Sequence, residues 1–355
     1  MFKGKTKRRK KMSKKEVEGI EIQRSYIPKL IDMGFTRKEV SEITGLGHQL
    51  ISDYFKLNIE INMKNKKLIL LVDGENILHQ SFHKFEKLKS TDGKPSGAIF
   101  GFFRSLHGFL HRWDPDEVII TFDNGHSPYR DALLPDYKGH RKNISVDYES
   151  LQSQKRIIMG MLKLLRIKYV FDKHNSTKYE GDDFLAYLVL NKKPTEKVII
   201  ISSDKDFNQL IGKDVKINNP RKDEMVHQGN CKELFGYSPE ETVDYLSMVG
   251  DTSDDIKGIP GIGPVKARKI LDEYGTLDKF LEHHHQTSHV EIAERNKKLI
   301  DLRLFQKEVP LSKLPMKKFA NKEIKYKKFK EVCIEYSLAS FMTNEFMKPF
   351  KDLLS

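Results

Sequence analysis

Three stretches of this chain are apolar almost without a break and rich in β-branched residues. They read KLILLVDGEN, EVIITFDNG and EKVIIISSDKD. Runs this continuous suit strands of a parallel sheet covered on both faces. Between them lie helical patterns, for example residues 99–112 and 151–165. Alternating strands and helices predict an α/β fold with a mostly parallel sheet, whose ligands gather at the carboxyl ends of the strands. Upstream, GFTRKEVSEITGLGHQLISDYF is helical with breaks. Thr36 and Glu39 form a capping-box pair, Val40 and Ile43 make an apolar face, and Gly45 and Gly47 allow a turn before Leu50, Ile51 and Tyr54. The segment resembles a helix-turn-helix; a plain helical hairpin packing on the main domain or on a partner is the other reading. Residues 321–355 are helical in pattern, with Tyr326, Phe329, Val332 and Tyr336 on one face. Core packing is the favoured reading for that face, a partner-docking tail the alternative.

Composition narrows the partner. The chain has 355 residues, 38% hydrophobic and 32% charged, with a net charge of +13. A balance this basic points to a polyanion, and nucleic acid is the expected one. The apolar runs are far too short to span a bilayer, and the charged N-terminus lacks the apolar core of a signal peptide. Lys3, Lys5, Lys7, Arg8, Arg9, Lys10, Lys11, Lys14 and Lys15 open the chain as either a phosphate-grasping arm or a solubilising tail. The two cysteines, Cys231 and Cys333, have no metal-ligand spacing and fit free thiols in a reducing cytoplasm.

Against this basic background the acidic residues are gathered. Asp73, Asp123 and the pair Asp204 and Asp206 each follow one of the three apolar runs. Glu180, Asp182 and Asp183 form a further group, and Asp251 and Asp254 another. One Asp after a strand is usually a turn residue or a helix cap. So many carboxylates at strand ends would repel one another unless divalent cations lay between them. Hard cations such as Mg²⁺ prefer oxygen ligands, and two of them about 4 Å apart are the usual apparatus for cutting phosphodiesters.

A second motif, GIPGIGPVKARKIL, looks like a helix-hairpin-helix. Gly258, Gly261 and Gly263 would let backbone N–H groups approach a phosphate, and Pro264 suits the first turn of the next helix. The N-terminus of that helix, with Lys266, Arg268 and Lys269, would add positive potential. Such a hairpin grips a duplex backbone without reading its sequence.

Together LVDGENILH, ITFDNGHSPYRDALLPDYKGHR, YEGDDFLAYL, ISSDKDFNQL and GDTSDDIKGIPGIGP resemble the 5′-nuclease, or flap endonuclease, family, in family order over residues 66–320. That family includes stand-alone bacteriophage 5′→3′ exonucleases and the nuclease domain of bacterial DNA polymerase I. The resemblance implies a PIN-like α/β domain, a helix-hairpin-helix subdomain and two Mg²⁺ or Mn²⁺ ions. It assigns Asp73, Asp123, Glu180, Asp182 and Asp183 to the first ion and Asp204, Asp206, Asp251 and Asp254 to the second, with Asp204 a candidate for sharing. It places Lys138 and Arg141 on the scissile phosphate at the base of a helical arch, Tyr137 against a base, and Arg130 in support of the substrate. It implies K⁺ or Na⁺ at the hairpin. Spacing agrees that Tyr137, Lys138 and Arg141 share one helix face. The family often has Ala where Gly181 stands, a change expected to spare the chemistry, and many members have Asn at Asp255.

The division expected is a basic arm over 1–18, small helices over 19–61, the catalytic domain over 66–237, the hairpin subdomain over 238–320 and a helical end over 321–355. No polymerase segment follows, so a stand-alone monomeric nuclease in the cytoplasm is expected, acting on DNA flaps, forks or free 5′ ends, with replication proteins as possible partners. Three alternatives stay open: RNA primer removal from RNA–DNA hybrids by the same site, a non-catalytic junction-binding protein, and an NYN- or PIN-type ribonuclease. The complete acid set speaks against the second and the hairpin against the third.

Overall fold

The computed structural model describes residues 37–46, 66–125, 127–139, 147–174, 179–284, 286–304, 314–320 and 323–354. The chain divides into two units, Met1–Asn65 and Lys66–Ser355. In the first, the helix Arg37–Thr44 is described. Val40 is buried, and Gly45 follows at a φ of +65° with its N–H on Ser41 O, which ends the helix. Thr36, the rest of the helix-turn-helix pattern and the basic arm lie outside the described residues.

The second unit is built on a seven-stranded sheet in the order β6-β5-β4-β1-β2-β3-β9. Five strands are parallel: β1 (Lys67–Asp73), β2 (Glu117–Thr121), β3 (Lys168–Val170), β4 (Glu196–Ile201) and β5 (Val215–Asn219). The edges β6 (Glu224–Val226) and β9 (Met316–Lys317) are antiparallel. The three apolar runs form β1, β2 and β4, side by side. Leu71 pairs with Ile119 on one flank and Ile200 on the other. Ile69, Leu71, Ile119 and Ile200 share a core with Phe184 and Leu185 of the helix Gly181–Leu190. The helix Gly97–Trp113 buries Ile99, Phe102, Phe103, Leu106 and Leu110, and Phe102 stacks on Phe122 just past β2. Near-complete burial of β1 and β4 explains why no polar alternation marks their sequences.

From β1 the chain steps outward through β2 and β3, then returns to the other flank of β1 with β4 and β5. The loops leaving β1 and β4 therefore diverge at their carboxyl ends. Such a switch point is where an open α/β sheet forms its crevice.

A helical subdomain follows, with helices Thr242–Val249, Pro264–Tyr274, Leu277–His283 and Thr287–Ile300 and a two-residue ribbon, β7 (Gly250–Asp251) with β8 (Ile256–Lys257). Leu246, Met248, Ile259, Ile262, Ile270 and Leu299 form its core. Asn296, fully buried, donates to Ser247 O and Lys257 O at 2.9 Å each and pins the hairpin to the helix behind it. At the C-terminal end, Phe329, Phe341 and Phe350 are buried, and Phe103 meets Phe329 at 6.4 Å between ring centres; of the face read from the sequence, Phe329 packs in the core while Tyr326, Val332 and Tyr336 are half-buried. Cys231 and Cys333 are free and buried.

Candidate active site

Asp73 ends β1 and caps the next helix. Its Oδ1 accepts the Asn76 N–H at 3.0 Å and its Oδ2 the Ser202 hydroxyl at 2.7 Å. Ser202 follows β4, so this bond ties the two strand ends at the switch point. Asp204 lies two residues on and accepts the Asp206 N–H at 2.9 Å. Asp123 follows β2, and its Oδ1 accepts the Gly181 N–H at the start of the helix Gly181–Leu190. A Cβ at Gly181 would sit 2.7 Å from that oxygen, so alanine there would push the Asp123 carboxylate aside. Gly181 is thus not the bystander its family position suggests. Asp251 and Asp254 arrive from the helical subdomain: Asp251 Oδ1 accepts both the N–H and the hydroxyl of Ser253, and Asp254 Oδ2 accepts the Tyr137 hydroxyl at 3.0 Å.

Electrostatics separates these acids into two groups. Burial, reinforced by Asp204 and Asp123, pushes the Asp73 carboxyl up to about 7 against the hydrogen bonds it accepts. Burial, with Asp254 and Asp251 nearby, pushes Asp204 up to about 6. Asp182 is raised well above the carboxylate range by burial and by Asp73, Asp123 and Asp204, and Asp206 by burial and by Asp204, Asp251 and Asp254. No donor among the described residues reaches the buried Oδ1 of Asp206.

Glu180 and Asp183 behave differently. Arg130, 2% exposed, grips both Asp183 oxygens at 2.7 Å and reaches Glu180 Oε2 at 3.1 Å. The same Glu180 oxygen accepts the Tyr137 hydroxyl at 3.1 Å and Lys138 Nζ at 3.0 Å. Burial disfavours its charge, but Lys138 and Arg130 win and hold the Glu180 carboxyl down at about 2. Three expectations change here. Asp183 spends its carboxylate on Arg130 and on the Glu180 N–H, so it orients the site rather than offering a free ligand. Arg130 and Tyr137 (3% exposed) are inside the protein, where they hold Glu180 and Asp183 and present no face to DNA. Nor do Tyr137 and Lys138 lie on a helix: the helix stops at Leu133, and Lys138 has a φ of +52°, with its N–H on Asp254 O. Arg141 lies outside the described residues.

The acid pocket therefore gathers more carboxyls than it has cations to neutralise them, and its oxygens suit hard cations. Among the described residues no three acidic side chains are drawn to metal-ligating distance of one another. Yet Asp204 raises the proton affinity of each of Asp73, Asp182 and Asp206, and Asp206 presents a buried oxygen without a donor. Those four fit divalent ions. A pH dependence follows. Between about pH 4 and 7 the folded protein holds protons that the unfolded chain has released, so stability falls as pH rises through that window, and these carboxyls oppose the fold far more at pH 8 than at pH 5. The difference is on the order of a few kcal/mol. Protein stripped of divalent ions is expected to melt lower at pH 8 than at pH 5.5, with Mg²⁺ restoring it at pH 8. A flat profile in calorimetry, unmoved by Mg²⁺, would contradict this.

In the hairpin, Gly263 caps the helix Pro264–Tyr274 with Pro264 at its first turn, and Gly261 has a φ of +76°. Both glycines face open space, and Lys266 and Lys269 are exposed. Gly258 serves packing instead: a Cβ there would meet Met248 O at 2.4 Å and the Val249 backbone at 2.5 Å. Gly258→Ala is expected to cost about 1–3 kcal/mol by overpacking and to weaken duplex binding through the displaced hairpin. An unchanged denaturation midpoint would refute it. Arg268 lies against Gly236 and donates to Phe235 O at 3.4 Å, so it closes the C-terminus of the helix Gln228–Phe235.

Several residues of the site carry no signal in the sequence. Ser202 links the strand ends, Lys205 Nζ reaches Asp251 Oδ1 at 3.3 Å, and the buried Lys155 touches Asp123 O and Glu75. The spacing of Asp73 to Glu75 is the one hint of the last.

An α/β sheet with an acidic switch point and a helix-hairpin-helix beside it defines a nucleic-acid hydrolase of the PIN-like class. The comparisons agree. Residues 68–236 match the profile described as 5′-3′ exonuclease, N-terminal resolvase-like domain, and residues 237–327 that described as 5′-3′ exonuclease, C-terminal SAM fold. The 5′-3′ exonuclease of Aquifex aeolicus is 33% identical over 217 residues, 61% of this chain and 73% of that protein. DNA polymerase I of Bacillus subtilis is 28% identical over 252 residues, 70% of this chain but 28% of the polymerase. Among solved structures, T5 5′-exonuclease with zinc bound superposes with a TM-score of 0.56 at 20% identity, covering 81% of this chain and 98% of its own; at that identity the likeness speaks to fold. The chain belongs to the 5′-3′ exonuclease family, nucleases that hydrolyse DNA phosphodiester bonds. No described helix is long and apolar enough to cross a membrane.

Proposed function

We propose that this protein is a Mg²⁺-dependent, structure-selective 5′ nuclease that cuts DNA at 5′ flaps, forks and free 5′ ends. The observation that carries this reading is the acid pocket at the switch point, with Asp73, Asp182, Asp204 and Asp206 crowded beside a hairpin suited to duplex phosphates. Those four, with Asp123, Asp251 and Asp254 around them, would hold two divalent ions. When bound, such ions lower the pKa of water and stabilise charge on the leaving oxygen.

The chain's own groups do the rest. Lys138 is stored against Glu180, and an entering phosphodiester would exchange that carboxylate for a phosphoryl oxygen and gain the ammonium's charge. Arg141, three residues on, is the second cation proposed for the phosphate. Arg130 and Tyr137 keep Glu180 in place while Lys138 moves. Gly261, Gly263, the N-terminus of the helix Pro264–Tyr274, Lys266 and Lys269 would hold the duplex behind the cut without reading bases. A monovalent cation, K⁺ or Na⁺, would join the hairpin to phosphate. We place the protein in the cytoplasm as a monomer serving replication or repair.

The test is a substrate panel with Mg²⁺: a 5′-labelled flap, a matched RNA–DNA hybrid, blunt duplex and single strand. The flap is expected to be cut fastest, near its junction, with EDTA abolishing all cutting. A faster hybrid lane would make RNA primer removal the main activity. Binding of the flap without cutting any substrate would favour a junction-binding protein.

A further inference from the structure

Lys155 is 4% exposed in the helix Tyr148–Leu165, yet it carries a charge. A buried ammonium is unfavourable unless its protons are placed. Its Nζ donates to Glu75 Oε2 at 2.7 Å and to the backbone O of Asp123 at 2.6 Å, and it sits 5.7 Å from the ring centres of Phe122 and Phe171. Glu75 belongs to the first turn of the helix that Asp73 caps, and its other oxygen lies 3.8 Å from His79 Nε2. Asp123 is the acid after β2. Its carboxylate already accepts the Gly181 N–H, so Lys155 fixes the other end of the same residue. Through one ammonium the start of the β1 helix, the end of β2 and the helix Tyr148–Leu165 are tied together beside the acid pocket.

We infer that Lys155, with Glu75 as its partner, is a positioning residue that sets Asp123 for divalent-ion binding. The second acceptor of the ammonium is the backbone of Asp123 itself, so the pair bears directly on where that carboxylate stands. Groups that orient metal ligands without touching the ion commonly change affinity by about 10- to 100-fold. The inference rests on the two-ion nuclease reading and deepens it.

The experiment uses the full chain as wild type, Lys155→Met, and the double variant Glu75→Gln with Lys155→Met. Mn²⁺ binding is followed by the loss of the free-ion electron paramagnetic resonance signal, alongside the Mg²⁺ midpoint of flap cleavage and the melting temperature. Lys155→Met takes the ammonium from the half-buried Glu75, which keeps the Asp123 backbone and His79 beside it, so it is expected to melt lower; the double variant removes both charges and recovers. Both are expected to need about 10-fold more Mg²⁺ and to bind Mn²⁺ weaker by a similar factor. If Lys155→Met does not fold, the double variant decides. A double variant with wild-type Mn²⁺ binding and Mg²⁺ midpoint would show that the pair serves stability alone and would overturn the inference. Wild type that binds no Mn²⁺ would sink the nuclease reading itself, and the inference with it.

Discussion

Replacing Asp204 by Asn is expected to lower Mg²⁺-dependent flap cleavage by about 10³-fold or more, while duplex affinity stays within a few-fold. The size follows from position. Asp204 follows β4, and its charge is felt by Asp73, Asp182 and Asp206, as those of Asp251 and Asp254 are felt by it. On the proposed two-ion reading it is the candidate ligand for both ions, and losing a ligand common to both would remove several kcal/mol of transition-state stabilisation. The substitution keeps shape: an Asn Oδ1 still accepts the Asp206 N–H that Asp204 accepts now. The hairpin that holds the duplex is untouched. Single-turnover cleavage and fluorescence anisotropy on the same flap read the two quantities separately. Cleavage within tenfold of wild type would mean that the acid pocket is not where phosphodiesters are cut.

The second large effect is on stability. Arg130→Met is expected to destabilise the protein by about 3–5 kcal/mol, because it strands the buried Asp183 carboxylate and takes one of the two cations on Glu180. Arg130 Nε also holds Leu299 O at the end of the helix Thr287–Ile300, so the catalytic sheet and the helical subdomain both lose an anchor. Adding Asp183→Asn should recover part of the loss. Urea denaturation measures it. A loss below about 1 kcal/mol, with a shallower salt dependence of DNA binding, would instead put Arg130 on a phosphate.

That contrast shows where the sequence was readable. β1, β2 and β4 stand out because both faces of each strand are covered, so their apolar runs are continuous and the acids that follow mark their carboxyl ends. The switch point follows from strand order alone. β7, β8 and β9, two residues each, are too short to leave a pattern. Arg130 sits in a basic stretch and reads as a DNA contact, since nothing near it in sequence announces Asp183, 53 residues away. Lys155 and Glu75 are 80 residues apart and look like ordinary helix-surface charges until the fold brings them together. Lys138 reads as part of a helix because side-chain spacing cannot reveal a left-handed backbone. Gly258 reads as a phosphate contact, as do Gly261 and Gly263, but its missing Cβ makes room for Met248 and Val249. Periodicity exposes elements and their ends; it does not show which charges are spent on one another inside.

The most direct measurement is anomalous diffraction from crystals of the full chain soaked in Mn²⁺. Two peaks about 4 Å apart are expected, contacted by Asp73, Asp182, Asp204 and Asp206, with Asp183 still on Arg130. A pocket without manganese at saturating concentration, or ions bound only elsewhere on the chain, would contradict a two-ion nuclease site at the switch point.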